Sequence, residues 1–325
     1  LIDHNGEELL RIMNQYVSDW GWEDEFSQWM ANDCTICTTL VDTIVPGRIR
    51  DPKEAAAVAE RLGYEDPFLA VREPFQMWGI QGDESLKERL PFVKAGLPGV
   101  FVTPDVTPYK KRKVRILNGA HTAFVPGSWV AGFDIVRDCM HDETIRGFMN
   151  TMLYDEVIPT LAADLDVEDC KAFAAAVENR FDNPFIDHAL LSICLNSTAK
   201  WRARDLPTLK DYVAETGNLP KCLSTSLATL IAFYTQELVA REGDGLHLRR
   251  ADGTEYTAQD DAFVLDFYAA HAGVDDAELV HDVLANEQMW GEDLTQIAGL
   301  EEFVVNALAV VRAEGVKQAF ANAQA

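Results

Sequence analysis

No G-x-G-x-x-G or related glycine-rich loop occurs in the chain, so the usual backbone cradle for a dinucleotide pyrophosphate is not among these residues. No apolar run approaches the roughly 20 residues that a membrane-spanning helix needs. H-E-x-x-H is missing, and His4, His141, His247, His271 and His281 form no tight ligand pair, so no metal is expected. The one C-x-x-C, Cys34 and Cys37, has no second pair, and its β-branched flanks read as a buried strand rather than a zinc or redox motif. Basic residues are scarce: 28 Lys and Arg face 53 Asp and Glu, a formal charge of −25. That balance argues against nucleic-acid and anionic-membrane partners, and it repels an anionic small molecule at long range. Six scattered Cys, with no signal peptide, point to a reduced, cytoplasmic protein. Repeats and low-complexity stretches are also lacking.

What is present divides in two. A length of 325 residues suggests two domains. Period and breakers predict helices over 5–20, 23–30 and 51–63, with Asn5 as N-cap of the first. Strands are predicted over 34–41, 68–72, 75–80 and 99–104, and Phe75, Met77 and Trp78 read as core. Strand signals nearly vanish after the DVTP turn, which puts a boundary near residue 107. Beyond it helices are expected over 108–125, 128–138, 141–157, 166–180, 187–196, 205–216, 222–242, 260–272, 276–286 and 299–321. A small hairpin over 246–256 turns at Asp252-Gly253, and an Ala-rich tail is expected to fray. The fold class is thus an α/β first part, 1–107, followed by a predominantly α second part, 108–325, read as an all-helical domain.

The densest chemistry lies in KKRKVRILNGAHT, 110–122. Read as one α-helix with Lys113 at 0°, His121 falls near ~80° and Asn118 near ~140°. An ammonium, an imidazole and a carboxamide then share less than half of the helix. A Lys in a dry pocket loses charged-state solvation and can exchange a proton with an alcohol or ketone oxygen. An Asn amide can donate to a developing alkoxide, and a His can hold a neighbouring hydroxyl. The set fits interconversion of an alcohol and a ketone. Spacing alone leaves open the plainer reading, a solvated basic helix end with Asn118-Gly119 as a turn. Asp42, in VDTIVPGR, is either a carboxylate serving a site or a strand-end Asp satisfying turn amides.

Lys113, Asn118 and His121 match the K-x4-N-x2-H pattern of the polyol-specific long-chain dehydrogenases, and the chain resembles the mannitol dehydrogenase family. The stretches LIDHNGEEL, TLVDTIVPGR, VREPFQMW, KVRILNGAHT, NRFDNPFIDHALLSICLNSTAKW and LPKCLSTSLATLIAFY, in that order, are similar to its tagaturonate reductase (altronate oxidoreductase) branch. The resemblance covers essentially all of the chain. It implies that 1–107 is the C-terminal part of a Rossmann-like nucleotide-binding domain and that 108–325 is the substrate-binding and catalytic domain. Because the family's Gly-rich loop lies upstream of everything here, the chain is expected to be a fragment lacking the first half of the nucleotide domain, with the activity of the fragment alone in question.

The implied activity is NAD-dependent interconversion of D-tagaturonate and D-altronate in hexuronate catabolism, with a small sugar acid as partner. Lys113 is the general acid/base and Asn118 the alkoxide donor; His121, Lys200, Ser192 and Asn183 are the implied substrate side, and Asp42 the cofactor side. A second oxyanion-hole Asn would map at or just before Leu1, where this chain shows none. In the family's R-F-x-N-P-x3-D-x3-R-V-x6-K pattern this chain keeps Asn183 and Lys200 but has His188 for Asp and Ser192 for the polyol-contacting Arg. A carboxylate-bearing substrate then needs another cation; Lys200 comes first, Arg202 or Arg204 second. Fructuronate reduction, a mannitol/fructose-type reaction and a non-catalytic sugar-acid-binding role remain the alternatives.

Overall fold

A computed structural model of the chain describes residues 4–49 and 51–325; Leu1, to which the second oxyanion-hole Asn was assigned, lies outside the described residues. The chain forms two compact units, Leu1–Lys111 and Arg112–Ala325.

The first unit is built on three short strands, β1 (Thr39–Asp42), β2 (Met77–Gln81) and β3 (Val100–Thr103). They lie in that order, β1 antiparallel and β3 parallel to β2. Leu40, Met77 and Val106 form a core cluster, with Phe101 and Tyr109 packed against it. The strand expected over 34–41 starts only at Thr39, because a side chain takes the place of a neighbouring strand there. Asn5 Nδ2 donates to the Thr39 carbonyl, and Asn5 Oδ1 accepts the Thr39 N–H, both at 2.9 Å. Asn5 is therefore not an N-cap; it is the first residue of the helix Asn5–Asp19, behind a left-handed His4. Gly6 is needed beside it, since a Cβ there would meet the Cys37–Thr38 backbone at 2.6 Å. The segment 68–72 makes only an isolated bridge, Val71 to Gly47. Phe68 is 86 % exposed, so the segment buries little that would hold it as a strand. Met77 is core, whereas Phe75 and Trp78 stay partly open and Trp78 stacks on Phe92. The helix Pro52–Leu62 has the expected Pro start, an Asp51 cap on the Lys53 N–H, and a left-handed Gly63 stop.

The second unit is organised around the helix Lys221–Tyr234, buried from Cys222 to Tyr234. It packs against the helices Gly119–Val130 and Leu300–Glu314. The break expected at Pro126-Gly127 does not occur, and Gly119–Val130 runs through it. A Pro inside a helix costs about 3 kcal/mol, but every residue from Gly119 to Trp129 is buried. Burying side chains such as Phe124, Val125 and Trp129 contributes roughly 1.5–3 kcal/mol each, which outweighs that cost.

The second unit is not all-helical. The helix expected over 222–242 stops at Tyr234, and Glu237–Glu242 becomes strand β4, joined to β5 (Gly245–Arg249) and β6 (Glu255–Ala258) in one antiparallel sheet. ELVARE mixes helix formers with an alternating pattern, and its strand partner LHLRR decides the outcome. The β5–β6 hairpin turns through Gly253, at φ 89°. The C-terminal tail does not fray either. The helix Val316–Ala323 buries Phe320, whose ring stacks on Phe148 at 3.9 Å, and Gln324 Nε2 donates to the Thr144 carbonyl.

Candidate active site

The α-helix Thr107–Arg112 leads into a π-helical turn, Lys113–Asn118, which gives way to the helix Gly119–Val130. The wider turn is closed by the Gly119 N–H reaching back to the Val114 carbonyl, five residues away. The α-helical angles expected for Lys113 and Asn118 therefore do not hold. With i→i+5 closure, residues five apart come nearly one turn apart, so Asn118 swings toward the side that carries Lys113. Ile116 and Leu117 anchor the turn in the core, while Lys113 and Asn118 are half-buried. Arg115 ties the turn to the helix Leu206–Thr216 through the Thr208 hydroxyl and, at 3.0 Å, the Asp211 carboxylate.

One turn on, His121 is buried. Its ring stacks on Phe181 at 3.9 Å and meets the His188 ring edge-on at 5.5 Å. Burial holds the imidazole well below its ordinary pKa; the charges of His188, Arg204, Arg180 and Lys200 push the same way. His121 is thus neutral at pH 7, and its Nε2 has no hydrogen-bond partner among the described residues. A strongly acidic chain has gathered positive groups around this one ring.

His188 lies in the stretch between two helices, and the other three groups come from two helices. Arg180, itself buried, precedes Phe181 at the end of Val167–Phe181. Lys200 and Arg204 lie four apart on Ser197–Arg204, hence on one face. That helix is entered through a left-handed Asn196 and held by the Asp260 carboxylate, which accepts the Thr198 N–H at 3.0 Å. Lys200 Nζ donates to the Ile193 carbonyl at 2.8 Å. Burial lowers its pKa, Arg204 adds to that, and Cys194 and Asp260 oppose it. Arg204 donates to the Thr122 hydroxyl at 3.0 Å and to the Asn118 carbonyl at 3.4 Å, which ties it to the π turn's exit. Arg202, by contrast, lies exposed and packs its guanidinium over Gly291.

The remaining candidates sit differently. Asn183 Oδ1 accepts the Phe185 N–H at 3.0 Å, a local turn bond. Ser192 is exposed and donates to the Ala189 carbonyl at 2.7 Å. Asp42 is buried in β1 of the first unit. Sequence reasoning did not single out Arg180, and it ranked Arg204 second; the four-residue spacing of Lys200 and Arg204 was the available signal. Among the described residues no group of three or more His, Cys, Asp or Glu is placed to hold a metal ion, and no helix is long and apolar enough to cross a membrane.

The family model for the mannitol dehydrogenase C-terminal domain matches residues 105–312, and that for the mannitol dehydrogenase Rossmann domain matches residues 2–94. The chain belongs to the mannitol dehydrogenase family. Among curated members, the altronate oxidoreductase of Yersinia enterocolitica is 41 % identical over 327 residues, covering 99 % of this chain and 64 % of that protein. The altronate oxidoreductase of Escherichia coli (strain K12) is 42 % identical over 325 residues, covering 98 % and 64 %. The chain therefore spans slightly under two thirds of the length of these relatives. Two solved structures share the fold. Pseudomonas fluorescens mannitol 2-dehydrogenase, in a ternary complex with NAD and D-mannitol, has a TM-score of 0.74 at 21 % identity, with 98 % of this chain and 60 % of that one covered. D-sorbitol dehydrogenase in substrate-free form has a TM-score of 0.75 at 20 % identity, with the same coverage. Membership of the mannitol dehydrogenase family gives the chain a Rossmann-like first domain and a mostly helical second one.

Proposed function

We propose that the chain provides the substrate-binding and catalytic unit of an NAD-dependent oxidoreductase that interconverts D-tagaturonate and D-altronate. The observation that carries the reading is the concentration of Lys200, Arg204, Arg180 and His188 around a neutral His121, one turn beyond Lys113 and Asn118, in a protein of charge −25. Such a cluster suits a substrate that is both a polyol and an anion. The altronate oxidoreductases among its relatives point the same way.

Unit 1 fits only part of a dinucleotide site. It has the parallel β2–β3 pair, but a Gly-rich turn is missing among the described residues, so no contact to the cofactor is assigned beyond Asp42 on its side. A bound nicotinamide cofactor would supply hydride chemistry at the ketone carbon and at its alcohol counterpart. In the reducing direction Lys113 donates its proton to the carbonyl oxygen as the carbon–oxygen double bond becomes a single bond; in reverse the neutral amine removes it. Asn118 Nδ2 donates to the oxygen while negative charge builds there. Neutral His121 exchanges a hydrogen bond with an adjacent hydroxyl, and Lys200 serves the oxygens beyond. Asn183 and Ser192 are assigned to the substrate side; the Asn183 amide can still donate and the Ser192 hydroxyl can still accept beside their local backbone bonds.

The test is Lys113→Ala, read as turnover at saturating substrate with NADH. A general acid contributes on the order of 10²–10⁴-fold, so a fall of at least ~10² in kcat is expected with folding intact. An unchanged kcat would remove Lys113 from the mechanism.

A further inference from the structure

Arg204 uses one guanidinium nitrogen for both of its hydrogen bonds, to Thr122 and to the Asn118 carbonyl. The rest of the fork has no protein acceptor, and no carboxylate lies within ion-pair distance of it, among the described residues. Arg204 is half-buried, and a guanidinium drawn partly out of water loses solvation that no carboxylate here makes up. Asp205, whose charge acts on Arg204, does not settle the imbalance. Its carboxyl is buried against Gly119, and its Oδ2 has no partner among the described residues. Burial raises the Asp205 pKa well above the usual carboxylate range, with Arg204 and Arg115 opposing, so Asp205 tends toward the neutral acid. Lys200 spends one of its N–H bonds on Ile193. Arg204 thus presents a half-used planar fork, the geometry that matches a carboxylate at two points.

We propose that Arg204 is the specificity-determining residue of this site: the open edge of its guanidinium receives the carboxylate of a sugar-acid substrate and thereby separates sugar acids from neutral polyols. The inference rests on the proposed function for the location of the site, but it concerns binding and needs no turnover.

Calorimetric titration of this protein with D-altronate and with D-altritol, its uncharged polyol counterpart, tests it. Altronate is expected to bind at least ~10-fold more tightly, the scale of a charge-assisted pair. Arg204→Met is expected to abolish that preference while altritol binding stays within a few-fold, and Arg204→Lys to restore part of it. Arg241→Met removes one charge from an ion pair with Asp266 and is expected to leave the preference intact. Persistence of the preference in Arg204→Met overturns the proposal. So does its loss in Arg241→Met, an equal loss of both ligands in Arg204→Met, or equal or undetectable binding of both by the unsubstituted protein. Thermal melts of each variant report folding, and Arg204→Lys keeps the test alive if the Met variant does not fold. If NADH is oxidised with no keto acid yet the Arg204-dependent preference stands, the functional reading fails and the carboxylate subsite survives. Turnover with an Arg204-independent preference means the reverse: the functional reading stands and the carboxylate subsite fails.

Discussion

Lys113 and Asn118 lie five positions apart, and the wide turn between them turns a sequence spacing into a pair of groups with a shared orientation. The residues themselves were legible, because Lys113, Asn118 and His121 sit in a recognisable pattern. The turn was not, since assuming 3.6 residues per turn hides an i→i+5 closure. Arg180 and Arg204 were harder to read because they reach His121 only through tertiary packing. A second buried carboxyl has a measurable consequence away from the site. Glu156 accepts the N–H groups of Cys222 and Leu223 at 2.7 and 2.9 Å, at the start of the central helix. Burial raises its pKa from 4.5 to about 7, with Asp155 adding and the two backbone bonds opposing. The folded state therefore holds a proton that the unfolded chain releases near 4.5, so this group's contribution is complete below that pH and is lost as pH rises through about 7. Urea unfolding between pH 5 and 8 is expected to show stability falling more steeply in the native protein than in Glu156→Gln, by up to about 3 kcal/mol over the range. Parallel profiles would show that Glu156 does not titrate in this way.

The helix Gly119–Val130 carries His121 and packs against the central helix, with Gly127 at the contact. A Cβ there would lie 2.8 Å from Phe320 Cζ and 3.0 Å from Thr229 Cβ. Gly127→Ala gains about 1 kcal/mol in helix propensity but overpacks the contact, at about 1–3 kcal/mol. A net fall in Tm is expected by differential scanning calorimetry; a raised Tm would mean that the Phe320 ring moves aside freely. This contact also explains why Pro126-Gly127 misled the sequence reading. Local chemistry says turn, and burial on every side says helix. ELVARE at β4 failed for the same class of reason, because its partner strand is set by a hairpin several residues later. The helices Pro52–Leu62 and Lys221–Tyr234 were easier, since their Pro starts are local signals.

The two units differ in how fully they bury what they have. Of the 17 large apolar side chains left exposed among the described residues, 14, from Leu9 to Leu97, belong to unit 1 and three, Phe185, Leu195 and Val239, to unit 2. Tyr16, Trp20, Trp22, Phe26 and Trp29 form a ladder of ring contacts in unit 1, with Trp20, Trp22 and Trp29 half-exposed, while Trp129, Trp201 and Trp290 are buried in unit 2. Heating is therefore expected to give two transitions rather than one. Unit 1 melts first, and the blue-shifted emission of the buried tryptophans persists until the second step. A single transition with all tryptophan signals coincident would show that the units unfold together. The overall charge of −25 was plain from composition, whereas the local reversal of sign around His121 became visible only once the helices were assembled.

The proposed reduction of a keto sugar acid is tested most directly by NADH absorbance. Tagaturonate, fructuronate and fructose are to be compared side by side at neutral pH. NADH oxidation with tagaturonate, well above that with fructose, is the expected result; no oxidation with any of the three would contradict it.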